Sequence, residues 1–524
     1  MNLASGLVPG GRRIAGRLAG ERRPQAAIAA VALATAALAG VAVAELEVSD
    51  LRLPLIAIFG AVLGGASIAG LNRLLVCVGG LIYVLALHVV YVGVVVPAYG
   101  YTGLTDAGAD VVSWVVVSLI ALYPLLFLPV RLTRPSEVVI WLLFLVGYVP
   151  TTLMPLYILG PDVGPVLPLE ILVAIGFGGM LAMERLPRRA LRWRGLSEIG
   201  FTRLALVSAI GSLAFLLVFF GIPTQIPDFA SVYDARADFG AIQATVPGAG
   251  YVVAWAGNVI FPLALAIGLV RRRIPVVILG AGGELLIYSL QGSKAVLFAI
   301  VLVPLLAIAV RWGRNRFGVW LAWASVATVG ASVVATAVTG SLWPVALTVV
   351  RLVALPGQLA SYYYDFFTSH EPYLLSHSIF RAFTDSPYAS DPPFLIGGLY
   401  LHSVVDANAN IWADAMANFG LPGIIAFSAI LGGILWLLDS FAEGKEFVLV
   451  AAMVSVAAFT LANGALLTAI LTNGIGLAIV LVALMPARQP SRPPDDPPEP
   501  ADPPDPPQEI FEGWLRFAPP SDSD

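Results

Sequence analysis

Four cations stand in stretches where positive charge is otherwise scarce: Arg236 in FASVYDARADFG, Lys294 in QGSK, Arg351 at the head of RLVALPGQLASYYYDFF, and Arg381 in the segment that follows. Arginine forks grip phosphate oxygens two at a time, and an ammonium adds a compact charge, so the set suits an anionic ligand. In a chain this apolar, a lipid phosphate or pyrophosphate is the natural one. Each cation also has a plain structural use. Asp234 and Asp238 can pair with Arg236, and Lys294 and Arg351 can snorkel to headgroups.

A second group can move a proton or hold a sugar. His402 sits in GLYLHSVVDANANIWADAMANFGLPG with Asp406, Asn408, Asn410 and Asp414, and Glu371 adjoins His370. A general base needs reach to the attacking hydroxyl and a pKa near the working pH, where histidine starts closest. Tyr362, Tyr363 and Tyr364 offer faces for sugar rings, or equally an ordinary aromatic belt at a membrane interface. Glu284 lies inside an apolar run, where a charge costs about 2.5–3.5 kcal/mol on insertion scales, so it is expected to face a bundle interior. The chain has no Walker loop, no HExxH and no outer-face DxD, and GAGGE at 280–284 is mid-span. Chemistry on that face then runs without ATP, zinc or a metal-held sugar nucleotide. A lipid-linked, already activated donor fits those limits.

The elements that must position these groups are membrane spans. Hydrophobic residues make up 58% of the chain and charged ones 12%, with a mean hydropathy of +0.87. Soluble domains carry about 25% charge, so the class is a polytopic membrane protein. The one cysteine, Cys77, excludes a disulfide framework or a cysteine-based zinc site, and a nucleic-acid partner is not expected. Apolar runs at 25–44, 53–72, 74–97, 111–131, 136–158, 164–183, 203–224, 250–270, 274–291, 294–311, 319–340, 420–438, 446–466 and 467–486 predict an all-α fold of about 14 transmembrane helices. The first run is read as an uncleaved span rather than a signal peptide, since it exceeds the roughly 7–15 apolar residues of a signal.

Basic residues fall at alternate span ends: Arg73, Arg131/Arg134, Arg185–Arg194, Arg271–Arg273, Arg311–Arg316 and Lys445. With a basic N-terminus (1–24) inside, the positive-inside bias places both termini in the cytoplasm. Two loops then face outward, 225–249 and the long polar stretch 341–418. The latter holds His370, His377, His402, Arg351 and Arg381. From 487 onward QPSRPPDDPPEPADPPDPPQ is too proline-rich and acidic to bury a core and is expected to be a disordered cytoplasmic tail.

Four stretches, VYDARADFG, GSKAVLFA, RLVALPGQLASYYYDFF and NIWADAMANFGLPG, together resemble the oligosaccharide repeat-unit polymerases of the O-antigen polymerase (Wzy-like) group, and more distantly the O-antigen ligases. The resemblance covers most of residues 25 to 486. It implies an inverting, metal-independent glycosyltransferase in a bacterial inner membrane, with no cofactor. Its donor and acceptor are polyprenyl-pyrophosphate-linked oligosaccharides, its solvent the lipid bilayer, and its companions chain-length-regulating and flippase proteins. The catalytic set expected is Arg236, Arg351, Lys294 and His402, the arginines holding the donor pyrophosphate with Lys294 assisting. Tyr233, Tyr363, Asp365, Glu371, Asn410 and Asp414 are the expected substrate-binding residues, with no metal. The ligases' His–Asn pair is Ala409-Asn410 here, which favours polymerase over ligase and leaves the base unassigned. Transfer to another acceptor and a lipid-linked glycan flippase are the alternatives.

Overall fold

A computed structural model describes residues 70–191, 193–223, 232–292, 294–402 and 405–487, with the side chains of 232–238, 294 and 295 outside the description. The spans expected at 25–44 and 53–72 and the acidic tail lie outside the described residues. Among those described, every regular element is a helix: α1 (Leu71–Thr102), α2 (Val111–Leu126), α3 (Ser136–Ile158), α4 (Leu167–Glu184), α5 (Glu198–Phe220), α6 (Val232–Thr245), α7 (Ala249–Val270), α8 (Ile274–Gln291), α9 (Lys294–Trp312), α10 (Arg314–Thr339), α11 (Trp343–Phe367), α12 (Pro392–Tyr400), α13 (Ile411–Ala442), α14 (Phe447–Ala462) and α15 (Leu466–Leu484). Ten of these are long and apolar enough to cross a membrane. Each expected span from 74–97 onward coincides with one helix.

Four helices contain a widened π turn, and each has the same local cause. The turns at Tyr91–Val95, Phe144–Tyr148, Ala256–Ile260 and Ala346–Ala354 are each followed at the second position by a proline: Pro97, Pro150, Pro262 and Pro356. Proline has no N–H to give and its ring collides with the carbonyl four residues back. Widening the preceding turn moves that carbonyl aside without breaking the helix.

Lipid supplies no hydrophobic drive between helices, so close packing must hold them. Helices α7 and α8 meet through glycines. A Cβ on Gly280 would lie 2.5 Å from the Leu265 nitrogen, and one on Gly268 2.6 Å from the Val277 nitrogen. Helices α4 and α13 approach likewise, with Gly176 against Ser428 and Gly432 against Met183.

The basic segments gather at one end of the bundle. The Arg73 guanidinium donates to Leu125 O (2.8 Å) and Leu128 O (2.5 Å), and Arg185 donates to Phe127 O. Arg314 Nε donates to Leu132 O (2.6 Å) while its guanidinium lies 4.6 Å from the Phe447 ring. Arg134 pairs with Glu184 (3.2 Å), Arg271 with Glu198 (3.1 Å), and Lys445 donates to Met485 O. The opposite end is made by the loops at 98–110, 159–166 and 368–410. There Ala107 N donates to Tyr157 O and Tyr364 OH to Pro165 O.

The stretch expected as one outer loop, 341–418, is corrected by the structure. Its first third is helix α11, apolar and mostly buried, and its last part is the start of α13. Yet α11 does not return to the basic end. Helix α10 leaves that end beside α1, with Trp323 Nε1 donating to Leu75 O, and at about 1.5 Å per residue it arrives at the far end by Thr339. Gln358 and Tyr364 of α11 then reach Thr102 O and Pro165 O, also at the far end. Length and apolarity alone made α11 look like a crossing helix; the length of α10 carries its start to the far end, and Gln358 and Tyr364 hold its C-terminal half there.

Candidate functional site

At the far end, a cavity of about 250 Å³ opens between α11, α12, the loop at 368–391, the head of α13 and the head of α15. Tyr363, His377, Asp391, Asp406, Asp414 and Asn418 supply its principal polar lining. The mouth is polar, acidic and histidine-bearing.

The head of α13 shapes it. Gly420 takes φ 62° and ψ −156°, which breaks the helix into two segments, and Pro422 has no N–H to continue the ladder. The carbonyls of Ala417 and Asn418 are therefore left over inside buried structure and need donors. The loop provides them: Tyr373 N donates to Ala417 O (2.8 Å) and Leu374 N to Asn418 O (3.1 Å). Leu375 N donates to Asn418 Oδ1 (3.0 Å), which requires left-handed backbone at Leu374 (φ 50°) and Leu375 (φ 65°). This clamp lays His377 against the cavity, its ring 5.2 Å from that of Tyr373 and edge-on to it.

Asp414 is buried at the cavity floor. Its Oδ1 accepts from Asn418 Nδ2 (2.9 Å) and its Oδ2 from Leu466 N (2.8 Å), tying α13 to the first residue of α15. Asp406 Oδ2 accepts from Asn408 Nδ2 (2.5 Å); burial pushes the Asp406 carboxyl up, against that hydrogen bond. Asp391 precedes α12 at its N-cap position but makes no capping bond, so its carboxylate is not engaged there. Burial lowers the basicity of His377, with Asp391 acting in the opposite sense. Tyr363 OH donates to Ala407 O (3.2 Å), closing the wall between α11 and the 405–410 segment.

Of the expected site residues, Tyr363 and Asp414 line this cavity. Asn410 does not line the cavity. It is fully buried, its Oδ1 caps α13 by accepting from Trp412 N (3.0 Å) and Ala413 N (3.2 Å), and its Nδ2 donates to Thr151 Oγ1 (2.7 Å). Asp365 lies away from the cavity and accepts from Tyr400 OH (2.6 Å). Glu371 is exposed, engaged through its carbonyl by Tyr388 OH (2.8 Å). His402 ends α12 exposed, with φ 50°, and does not line the cavity. Arg351 is exposed on the widened turn of α11 and Arg381 is exposed in the 368–391 loop. The backbones of Tyr233 and Arg236 lie in α6 and that of Lys294 starts α9; their side chains lie outside the description.

Sequence reading passed over His377 and Asp391 as chemical groups. Asp391 had one local signal, an acid directly before Pro392-Pro393, the pattern of a helix start. His377 had none, because only the clamp from Asn418 brings it to the cavity.

No protein-family model matches the chain, and no curated protein or solved structure matches it either.

Among the carboxyl groups buried elsewhere, Glu284 and Glu170 stand apart. Glu284 in α8 lies beside the widened turn of α7, its Oε2 within 3.9 Å of where a Cβ on Gly257 would be, and Glu170 lies in the first turn of α4. Neither has a hydrogen-bond partner among the described residues. The placement of Glu284 inside the bundle agrees with expectation.

Proposed function

We propose that the chain is a membrane glycosyltransferase that polymerises polyprenyl-pyrophosphate-linked oligosaccharide repeat units into a surface polysaccharide on the external face of a bacterial inner membrane. The observation that carries this reading is the placement of the acid- and amide-lined cavity at the bundle end opposite the basic segments. Positive-inside bias puts the basic end in the cytoplasm and so puts the cavity outside. With the spans expected from sequence at 25–44 and 53–72, the topology proposed is about 14 crossings with both termini inside.

Charge divides the labour. Three carboxylates around one cavity repel a pyrophosphate but accept hydrogen bonds from sugar hydroxyls, so the cavity suits the acceptor's terminal sugar. The donor pyrophosphate belongs with Arg236, Lys294 and Arg351, which stabilise charge as it develops on the leaving group. A transporter would place its polar site near the bilayer midplane, and the break in α13 at Gly420 does not by itself separate the two readings. The cavity here lies at one end, which favours the enzyme.

The test is complementation of a deletion strain by Arg236→Ala and by Arg351→Ala, reading surface-glycan length on a gel at matched protein level. Single repeat units from both variants support a polymerase that grips pyrophosphate through both arginines. Full-length polymer from both rejects that donor site and raises the flippase reading. Loss of even single units from the surface points to ligation or export.

A further inference from the structure

We propose that His377 takes the proton from the acceptor sugar's attacking hydroxyl, an assignment that rests on the glycosyl-transfer reading above. Three of the four histidines are spoken for or misplaced. His88 Nδ1 is held 2.7 Å from Tyr157 OH, among the helices. His370 stacks on Phe366 at 4.0 Å with its Nδ1 bound to Phe366 O and Ser369 Oγ. His402 stands outside the cavity. His377 lines the cavity, and its Nδ1 is buried with no hydrogen-bond partner among the described residues.

The other titratable groups facing the same space are Asp391, Asp406, Asp414 and Tyr363, with Tyr373 edge-on to the imidazole. Asp414 spends one bond from each oxygen on Asn418 and Leu466, and Asp406 spends one on Asn408. These carboxylates are set to hold hydroxyls. A neutral imidazole always keeps one nitrogen as an acceptor, and Nδ1 of His377 has no hydrogen-bond partner among the described residues. Asp391 lies where its charge favours the imidazolium, without an ion pair between the two.

The step balances as follows. The acceptor O–H proton passes to His377 as the oxygen's lone pair forms a bond to the donor's anomeric carbon, from the face opposite the leaving group. The anomeric C–O bond breaks and its electron pair leaves on the pyrophosphate, beside the cations. The imidazolium then releases its proton to water, and the polyprenyl pyrophosphate departs with its charge restored.

The experiment uses the full-length protein in proteoliposomes, supplied with lipid-linked repeat units extracted from the deletion strain. In His377→Gln, turnover is expected to fall about 10²–10⁴-fold, the usual range for a general base, with KM nearly unchanged. Wild-type turnover is expected to drop on acidification through an apparent pKa below the ordinary histidine value of about 6.5, because burial outweighs Asp391. Asp391→Asn should move that acid limb to still lower pH, read from the shape of the profile whatever the height of its plateau. Added imidazole should restore part of the turnover of His377→Gly, which guards against a variant lost to misfolding. Turnover of His377→Gln within threefold of wild type, with the acid limb intact, overturns the assignment. So does loss of all activity in Asp391→Asn with His377→Gln active, which would make Asp391 the base. Wild-type protein that leaves the units unpolymerised overturns the glycosyl-transfer reading itself, and the base with it.

Discussion

Asn418 Nδ2 donates to Asp414 Oδ1 at 2.9 Å, one turn apart at the head of α13, and through this pair three separate segments meet at the cavity. Asn418 Oδ1 holds Leu375 N of the loop, and Asp414 Oδ2 holds Leu466 N of α15. Asn418→Ala leaves buried polar groups unmatched on both sides, each costing about 1–3 kcal/mol. Thermal unfolding of the purified protein should show a clear loss. Asn418→Asp should be worse, since it sets two carboxylates against each other. An unchanged melting temperature in both variants would mean that the clamp carries no stability.

Asn410 is expected to behave as a helix cap and not as a substrate ligand. Asn410→Ala should lower stability by about 0.5–2 kcal/mol, the range for losing an N-cap, and reduce the amount of protein in the membrane. Activity per inserted molecule should stay within a fewfold of wild type. A stable but inactive variant would return Asn410 to the substrate site.

Gly280 packs against backbone, which cannot swing aside as a side-chain tip can. Gly280→Val should therefore separate α7 from α8 and cost about 1–3 kcal/mol or more. Gly282→Val, where a Cβ meets nothing within 4 Å, is the matched control. Equal membrane yields of the two variants would contradict the packing described.

Glu284 is buried with both oxygens unpartnered among the described residues, so its carboxyl makes no hydrogen bond there that an amide would lose. Glu284→Gln removes a group that is costly to ionise in place and should leave thermal stability equal or higher. A stable Glu284→Gln with polymer length unchanged fits a passive residue. A stable variant that makes only single units would give the bundle interior a working role.

Much of the fold could be read from hydropathy, because a helix in lipid must satisfy its own backbone and cover itself with apolar side chains along its whole length. That requirement writes α1 to α5, α7 to α10 and α13 to α15 into local sequence. Helix α11 shows where the reading stops. Arg351, Gln358 and the tyrosines make its composition look like a loop, while its length and apolarity look like a span. Only the length of α10 before it and the bonds from Gln358 to Thr102 and from Tyr364 to Pro165 place its start and its C-terminal half at the far end.

The candidate site divides the same way. Asp414 and Tyr363 were visible because they sit in a polar segment next to spans. Asn410 looked like a ligand because a capping asparagine and a substrate-binding one are the same residue until the partner of each atom is known.

What the sequence determined by itself was class and the sorting of basic residues to one bundle end: apolar runs of spanning length and basic residues at alternate ends are local properties, set by lipid and by charge. What only the tertiary structure decided was which polar groups share a cavity. His377 lies far along the chain from Asp414 and Leu466, and a helix break at Gly420 had to expose two carbonyls before the loop could bind there. Contacts of that kind depend on which donors remain unspent after folding, and no spacing in the chain records that.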